Sequence, residues 1–181
     1  MKQIYTAGHS NRPLEEFLDL LGGAGIALLA DVRAYPASRR HPHFGREPLS
    51  AALQRRGIAY LWLGRELGGH RTARPDSPNT ALAPVWRGYA DQMQTAGFAR
   101  GIADLQARAS TQRTVVMCAE RNPDDCHRNL IADRLTALEW CVTHIIGANE
   151  QRLHSLHAAA RVTEAGLSYP GTDQQQLGLG F

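Results

Sequence analysis

Thr114 to Met117 is a run of β-branched and apolar residues with no charged interruption, and it restricts the fold more than any other stretch. A strand with one wet face alternates apolar and polar residues. A run as uniform as this one has to be covered on both faces. Cys118, Ala119 and Glu120 follow at its carboxyl end. Asn122-Pro123-Asp124-Asp125 then carries the marks of a helix start: a capping Asn or Asp, Pro in the first turn, and acids near the positive pole. Cys126, His127 and Arg128 fall on the first turns of that predicted helix. Thiol, acid and cationic side chains thus share one strand-loop-helix junction, the place where open α/β sheets bind ligands.

Four further apolar runs have strand character: Ile4 to Ala7, Ala27 to Val32, Ile58 to Leu63 and Cys141 to Ile146. Helical spacing lies between them. Leu14, Phe17, Leu18 and Leu21 make one apolar face, and Val85, Trp86, Tyr89 and Met93 another. Phe98, Ile102 and Leu105 follow, then Leu130, Ile131, Leu135 and Leu138. Pro48 opens a short helix that Gly57 ends. Strands alternating with helices predict an α/β fold. It would be a three-layer domain with a mostly parallel central sheet of about five strands and helices on both faces. Residues 1–181 read as one domain, with 147–181 as a C-terminal extension and a hairpin around Glu164-Ala165-Gly166. Gly64 to Ala83 reads as a long loop, a length usually tied to function in a compact domain.

Hydrophobic residues make up 43% of the 181-residue chain and charged ones 20%, ordinary values for a globular protein. The net charge of +3 permits anionic partners without demanding them. No apolar run approaches the roughly 18 residues of a membrane span, and the amino terminus lacks the apolar core of a signal peptide. A cytoplasmic protein with no membrane partner is expected. Its three cysteines, Cys118, Cys126 and Cys141, are then expected as free thiols.

Three ordered stretches carry a family resemblance: "TAGHSNRPLEEFLDLL", "DVRAYPASRRHPHF" and "MCAERNPDDCHRNLIADRL". With "LGG" at Leu67 to Gly69 and "YADQM" at Tyr89 to Met93, the chain resembles the domain of unknown function 488 family over almost its whole length. The sequence departs from the family pattern at Ala7, where Ile is usual. The resemblance implies a small cytoplasmic α/β protein of bacteria or archaea and assigns no catalytic residue.

Parallel strands would gather His9 and Ser10, Asp31 and Arg33, and Cys118 and Glu120 at one edge of the sheet, a pocket by default. Glu120 and Asp31 are the acid/base candidates there, with His9 as a shuttle near neutral pH. In the alternative each carboxylate only pairs with an arginine, Asp31 with Arg33 or Arg40. Arg33, Arg39, Arg40 and Arg128 suit an anion cradle, because guanidinium forks match phosphate oxygens. Ser10 and His127 are further substrate contacts, and Phe44 or Tyr35 could stack on a base. Cys118 is a candidate nucleophile. However, nine residues separate it from Arg128, which is more than cysteine phosphatases allow, and Glu120 nearby disfavours a thiolate. Cys118, Cys126 and His127 are a possible zinc set, but seven residues between the cysteines is not the usual two to four. No metal or other cofactor is therefore assigned. Two functions follow. The first is an enzyme acting on a phosphate-bearing nucleotide or nucleic acid. The second is a non-catalytic binder of such molecules, using the Arg39 to Arg46 loop and the Gly64 to Ala83 loop. A thiol redox or metal-binding protein is a third.

Overall fold

Every residue of the strand Thr114–Cys118 is buried, as its uniform composition requires, and the rest of the fold is arranged around it. The computed structural model describes residues 2–37, 39–163 and 166–171. In chain order the elements are β1 (Gln3–Gly8), α1 (Leu14–Gly23), β2 (Leu28–Asp31), α2 (Arg46–Arg55), β3 (Ala59–Trp62) and α3 (Gly64–Leu67). Then come α4 (Pro84–Gln92), α5 (Ala96–Ala109), β4 (Thr114–Cys118), α6 (Arg128–Ala137), β5 (Cys141–Gly147), β6 (Glu150–Leu153), β7 (Arg161–Thr163) and β8 (Gly166–Ser168). The main sheet has the order β3-β2-β4-β1-β5-β6. Its first five strands run parallel, with Leu29 beside Val115 and Thr6 beside Val116.

The predicted α/β sheet is thus present, with one addition. β6 pairs antiparallel with β5 through Thr143 and Leu153. All four of its residues are exposed, so it lacked the apolar signal of the other strands. β7 and β8 form the expected hairpin, although Glu164 and Ala165 of that prediction lie outside the described residues.

Pleating divides the core into two layers. Val115 and Met117 face α1 and α2, among Phe17, Leu21, Leu49 and Leu53. Val116 and Cys118 face the other way, among Phe98, Leu105, Ile131 and Leu135 of α5 and α6. Each fully buried side chain of this size contributes roughly 1.5–3 kcal/mol. The chain leaving β4 therefore turns to the α6 layer, while the chains leaving its neighbours β1 and β2 turn to the α1–α2 layer. Such a divergence opens a crevice at the carboxyl ends of the strands.

A polar array crosses the α6 layer. Asp133 is fully buried and accepts from Tyr169 Oη, from His154 Nε2 at 2.9 Å and from the His157 amide. His154 Nδ1 meets His144 Nε2 at 2.9 Å, and His144 Nδ1 meets Thr6 Oγ1 at 2.7 Å. The array joins β1, β5, α6 and the segment after β8. Burial, with the neighbouring His154, lowers the pKa of His144 to about 3.

Candidate active site

The crevice holds a cleft of about 670 Å³. Its floor is Cys118, Cys126 and His127, its wall includes Ala119 and Glu120, and Arg33, Tyr35, Arg71 and Val85 lie at its rim. Each wall residue is placed by a local feature of the chain. His9 N–H and Ser10 N–H donate to the carbonyls of Cys118 and Ala119, so the β1–β4 ladder runs past the end of both strands. Glu120 then crosses directly over Gly8. A Cβ at Gly8 would stand 1.7 Å from the Glu120 carbonyl oxygen, so only glycine permits this crossing. Arg128 is buried, and its two terminal nitrogens donate to the carbonyls of Glu120 and Arg121. The guanidinium predicted for the anion cradle is therefore occupied in fastening the loop.

The predicted helix start is divided in two. Asn122 caps a single 3₁₀ turn, Pro123–Asp125, with its side chain accepting from Asp124 N–H. Cys126 is then extended, with φ −140° and ψ 141°, and α6 begins only at Arg128. The extended residue turns the Cys126 thiol inward. Pleating has already pointed Cys118 to the same side, and the two sulfurs and His127 Nδ1 lie within 4.8 Å of one another. Nδ1 is 3.7 Å from Cys118 Sγ and 3.8 Å from Cys126 Sγ. His127 Nε2 lies 3.1 Å from the Val32 carbonyl, which can only accept. The ring therefore carries its proton on Nε2, and the Nδ1 lone pair faces the sulfurs. Tyr89 packs beside the ring with centroids 4.9 Å apart. Gly69 lies over its face, where a Cβ would come within 2.9 Å of Nδ1.

The two thiols ionise unequally. The hydrogen bond to Cys126, with burial, holds the Cys118 thiol well above its usual pKa. Burial opposes ionisation of Cys126 too, but the hydrogen bond from the Cys118 thiol and the Arg128 charge favour its thiolate and hold that thiol well below the usual range.

Behind the rim stands a second group. Asp31 is fully buried. It receives Arg33 Nε at 2.9 Å and Nη2 at 2.6 Å, and the Tyr60 hydroxyl at 2.7 Å. Arg33 Nη1 reaches His9 Nε2 at 3.2 Å. Because the guanidinium only donates, His9 carries its proton on Nδ1, 2.8 Å from the Ser10 carbonyl. Burial and the Arg33 charge lower the His9 pKa to about 4, so this histidine is neutral at physiological pH.

Of the residues singled out in the sequence, Cys118, Glu120, Arg33, Tyr35 and His127 meet in the cleft. His9 and Asp31 do not line it and instead hold Arg33 in place. Ser10, with φ 51°, continues the ladder beside the cleft wall. Phe44 is buried between His9, at a centroid distance of 4.3 Å, and Phe17, at 5.5 Å, so its faces are taken by packing. Arg39 and Arg40 are exposed on the loop after β2 and do not line the cleft. Cys126 belongs to the floor as fully as Cys118. Arg71 and His70 also line the cleft without having been singled out, and so does Val85, which was expected on a buried helical face and is exposed instead. They come from the start of α4 and from the stretch predicted as one long Gly64–Ala83 loop, whose first four residues form α3; no local pattern sets them apart.

Fold and cleft define a mostly parallel α/β protein with a crevice at the carboxyl ends of its strands. The family model for the domain of unknown function DUF488 matches residues 13–135, and the chain belongs to that family. No curated protein and no solved structure matches it. No helix among the described residues is long and apolar enough to cross a membrane.

Proposed function

We propose that the chain is an enzyme acting on a phosphate-bearing small molecule, a nucleotide, bound in the carboxyl-edge cleft. One juxtaposition carries this reading. Tyr35 is 80% exposed at the rim, two residues from an arginine whose guanidinium is fixed from behind by Asp31 and His9. An exposed ring offers a face for a base. A guanidinium with three of its five N–H groups committed keeps donors for a phosphate oxygen and has little freedom to lose on binding. Arg71 and His70 also line the cleft and add positive and polar groups. Glu120 and Asp125 are the exposed carboxylates of the lining, and Glu120, on the strand-end side, is the group assigned to proton transfer. Asp31 and His9 act as positioning residues through Arg33.

The test is calorimetric binding of nucleoside mono- and diphosphates, with inorganic phosphate as the comparison. Tyr35→Ala removes an exposed ring and leaves the fold intact. It should weaken nucleotide binding roughly 10- to 100-fold, the worth of one base–aromatic stack, and leave phosphate binding unchanged. Equal nucleotide affinity in the two proteins, or no binding at millimolar concentration, would remove the reading. For a bound nucleotide that is turned over, Glu120→Gln should lower the rate by roughly 10² to 10⁴ with little change in affinity.

A further inference from the structure

We propose that Cys118, Cys126 and His127 form a binding site for a divalent ion of the zinc type, with a fourth coordination position open to the cleft. Three side chains converge there from two places in the chain: Cys118 from the end of β4, and the consecutive Cys126 and His127 from the turn that leads into α6. Their ligand atoms lie within 4.8 Å of one another. An ion that holds sulfur at about 2.3 Å and imidazole nitrogen at about 2.0 Å in tetrahedral geometry sets sulfur and nitrogen about 3.5 Å apart. The two separations here are 3.7 and 3.8 Å, so the side chains need almost no rearrangement.

The surroundings favour an ion over a plain hydrogen-bonded cluster. His127 donates from Nε2 to the Val32 carbonyl, which fixes the tautomer and aims the Nδ1 lone pair at the sulfurs. Metal-ligating histidines are oriented by just such a bond. Gly69 and Tyr89 hold the ring between them. Two thiolates and one imidazole suit a borderline-soft ion and do not suit magnesium or calcium. Binding replaces the two thiol protons, so M²⁺ and two S–H groups give one neutral dithiolate centre and two released protons. Arg128 is buried with no carboxylate at ion-pair distance among the described residues, and its charge further favours thiolates. All three ligands line the cleft, so the remaining position faces it. Three protein ligands with one open position is the pattern of catalytic rather than structural zinc sites. The spacing rule that spoke against zinc assumes that both cysteines lie on one knuckle. Here they arrive from different elements.

This inference does not depend on the nucleotide reading, and its test uses no nucleotide. The full chain is reduced, stripped with a chelator and titrated with Co²⁺. The expected result is one ion per chain, with intense visible bands of tetrahedral cobalt and a thiolate-to-cobalt charge-transfer band in the near ultraviolet. Excess Zn²⁺ should abolish both. Cys118→Ser and Cys126→Ser should each lower the charge-transfer intensity by about half and weaken binding at least 100-fold. Cys141→Ser, away from the cleft, should change neither. Should a cleft variant fail to fold, thiol labelling of the unaltered protein decides the matter, because Zn²⁺ should protect two of its three cysteines. Octahedral cobalt spectra, binding unchanged in the two serine variants, or all three thiols labelled equally with and without Zn²⁺ would overturn the proposal. Metal bound without nucleotide affinity would retire the nucleotide reading alone, and nucleotide bound by a chain that takes no metal would retire this one.

Discussion

Asp31 and Arg33 show how a strand end converts two residues into a fixed donor array. Their pairing was legible because residues two apart at the end of a strand point to the same side. Breaking it from the acid side leaves a buried guanidinium with no counter-charge, so Asp31→Asn should cost roughly 3–5 kcal/mol in a urea unfolding experiment. The role of His9 was not legible, since nothing local announces that an imidazole will meet an arginine from another strand. Its titration gives a second prediction. His9 stays neutral in the fold down to about pH 4, and His144 down to about 3, whereas both take up a proton near pH 6.5 when unfolded. The unfolded chain therefore binds more protons between these limits. Stability contributed by the two buried neutral rings is complete above pH 6.5 and falls as the pH drops toward 4. Depressions of this size correspond to a full loss on the order of 3 kcal/mol for His9 and 5 kcal/mol for His144. Unfolding free energy measured from pH 7 to 4.5 checks it, and His9→Gln should flatten the curve by about one proton.

At the level of elements, the strand β4 and the loop after it decide where the chemistry sits. The strand was readable from four residues of composition. The loop was read as the beginning of one helix because its capping and proline signals are real; they belong to a 3₁₀ turn that stops at Cys126. That interruption turns a thiol inward, and it depends on the contact with Cys118 and His127, which no window of sequence contains. The crossing at Gly8 is also a property of the loop. Gly8→Ala would press a methyl group into the Glu120 carbonyl, so the wall of the cleft must lift away. A destabilisation of roughly 3 kcal/mol is expected, together with loss of nucleotide and Co²⁺ binding, although Gly8 itself contacts neither. Gly69→Ala, against the imidazole face, should leave stability closer to that of the parent chain and weaken Co²⁺ binding, because the clash falls on a side chain that can tilt.

For the molecule as a whole, the parallel α/β class was legible because uniform strands and amphipathic helices alternate. Strand order was not, since neighbours such as β2 and β4 are joined by pairing and not by sequence. The family match ends at residue 135, yet β5 lies beside β1 inside the sheet and Tyr169 reaches back to Asp133 at 2.9 Å. One cooperative unfolding transition is expected, followed equally by far-ultraviolet circular dichroism and tryptophan fluorescence. Tyr169→Phe should lower its midpoint in urea by an amount equivalent to about 1.5–3 kcal/mol, the worth of a hydrogen bond to a charged group. The array from Asp133 through the two histidines to Thr6 has a further property. Asp133 can only accept, so His154 always gives it the Nε2 proton. With both rings neutral, every remaining bond points the same way, from Thr6 to the carboxylate. The opposite direction needs a hydrogen on His154 Nδ1, and the bonds survive it only if His144 exchanges its Nε2 hydrogen for one on Nδ1 and Thr6 turns its hydroxyl around. The array thus has two polarities with no stable mixture of them. The tautomer of one imidazole, visible by nitrogen NMR at His144, therefore reports which polarity the whole array holds.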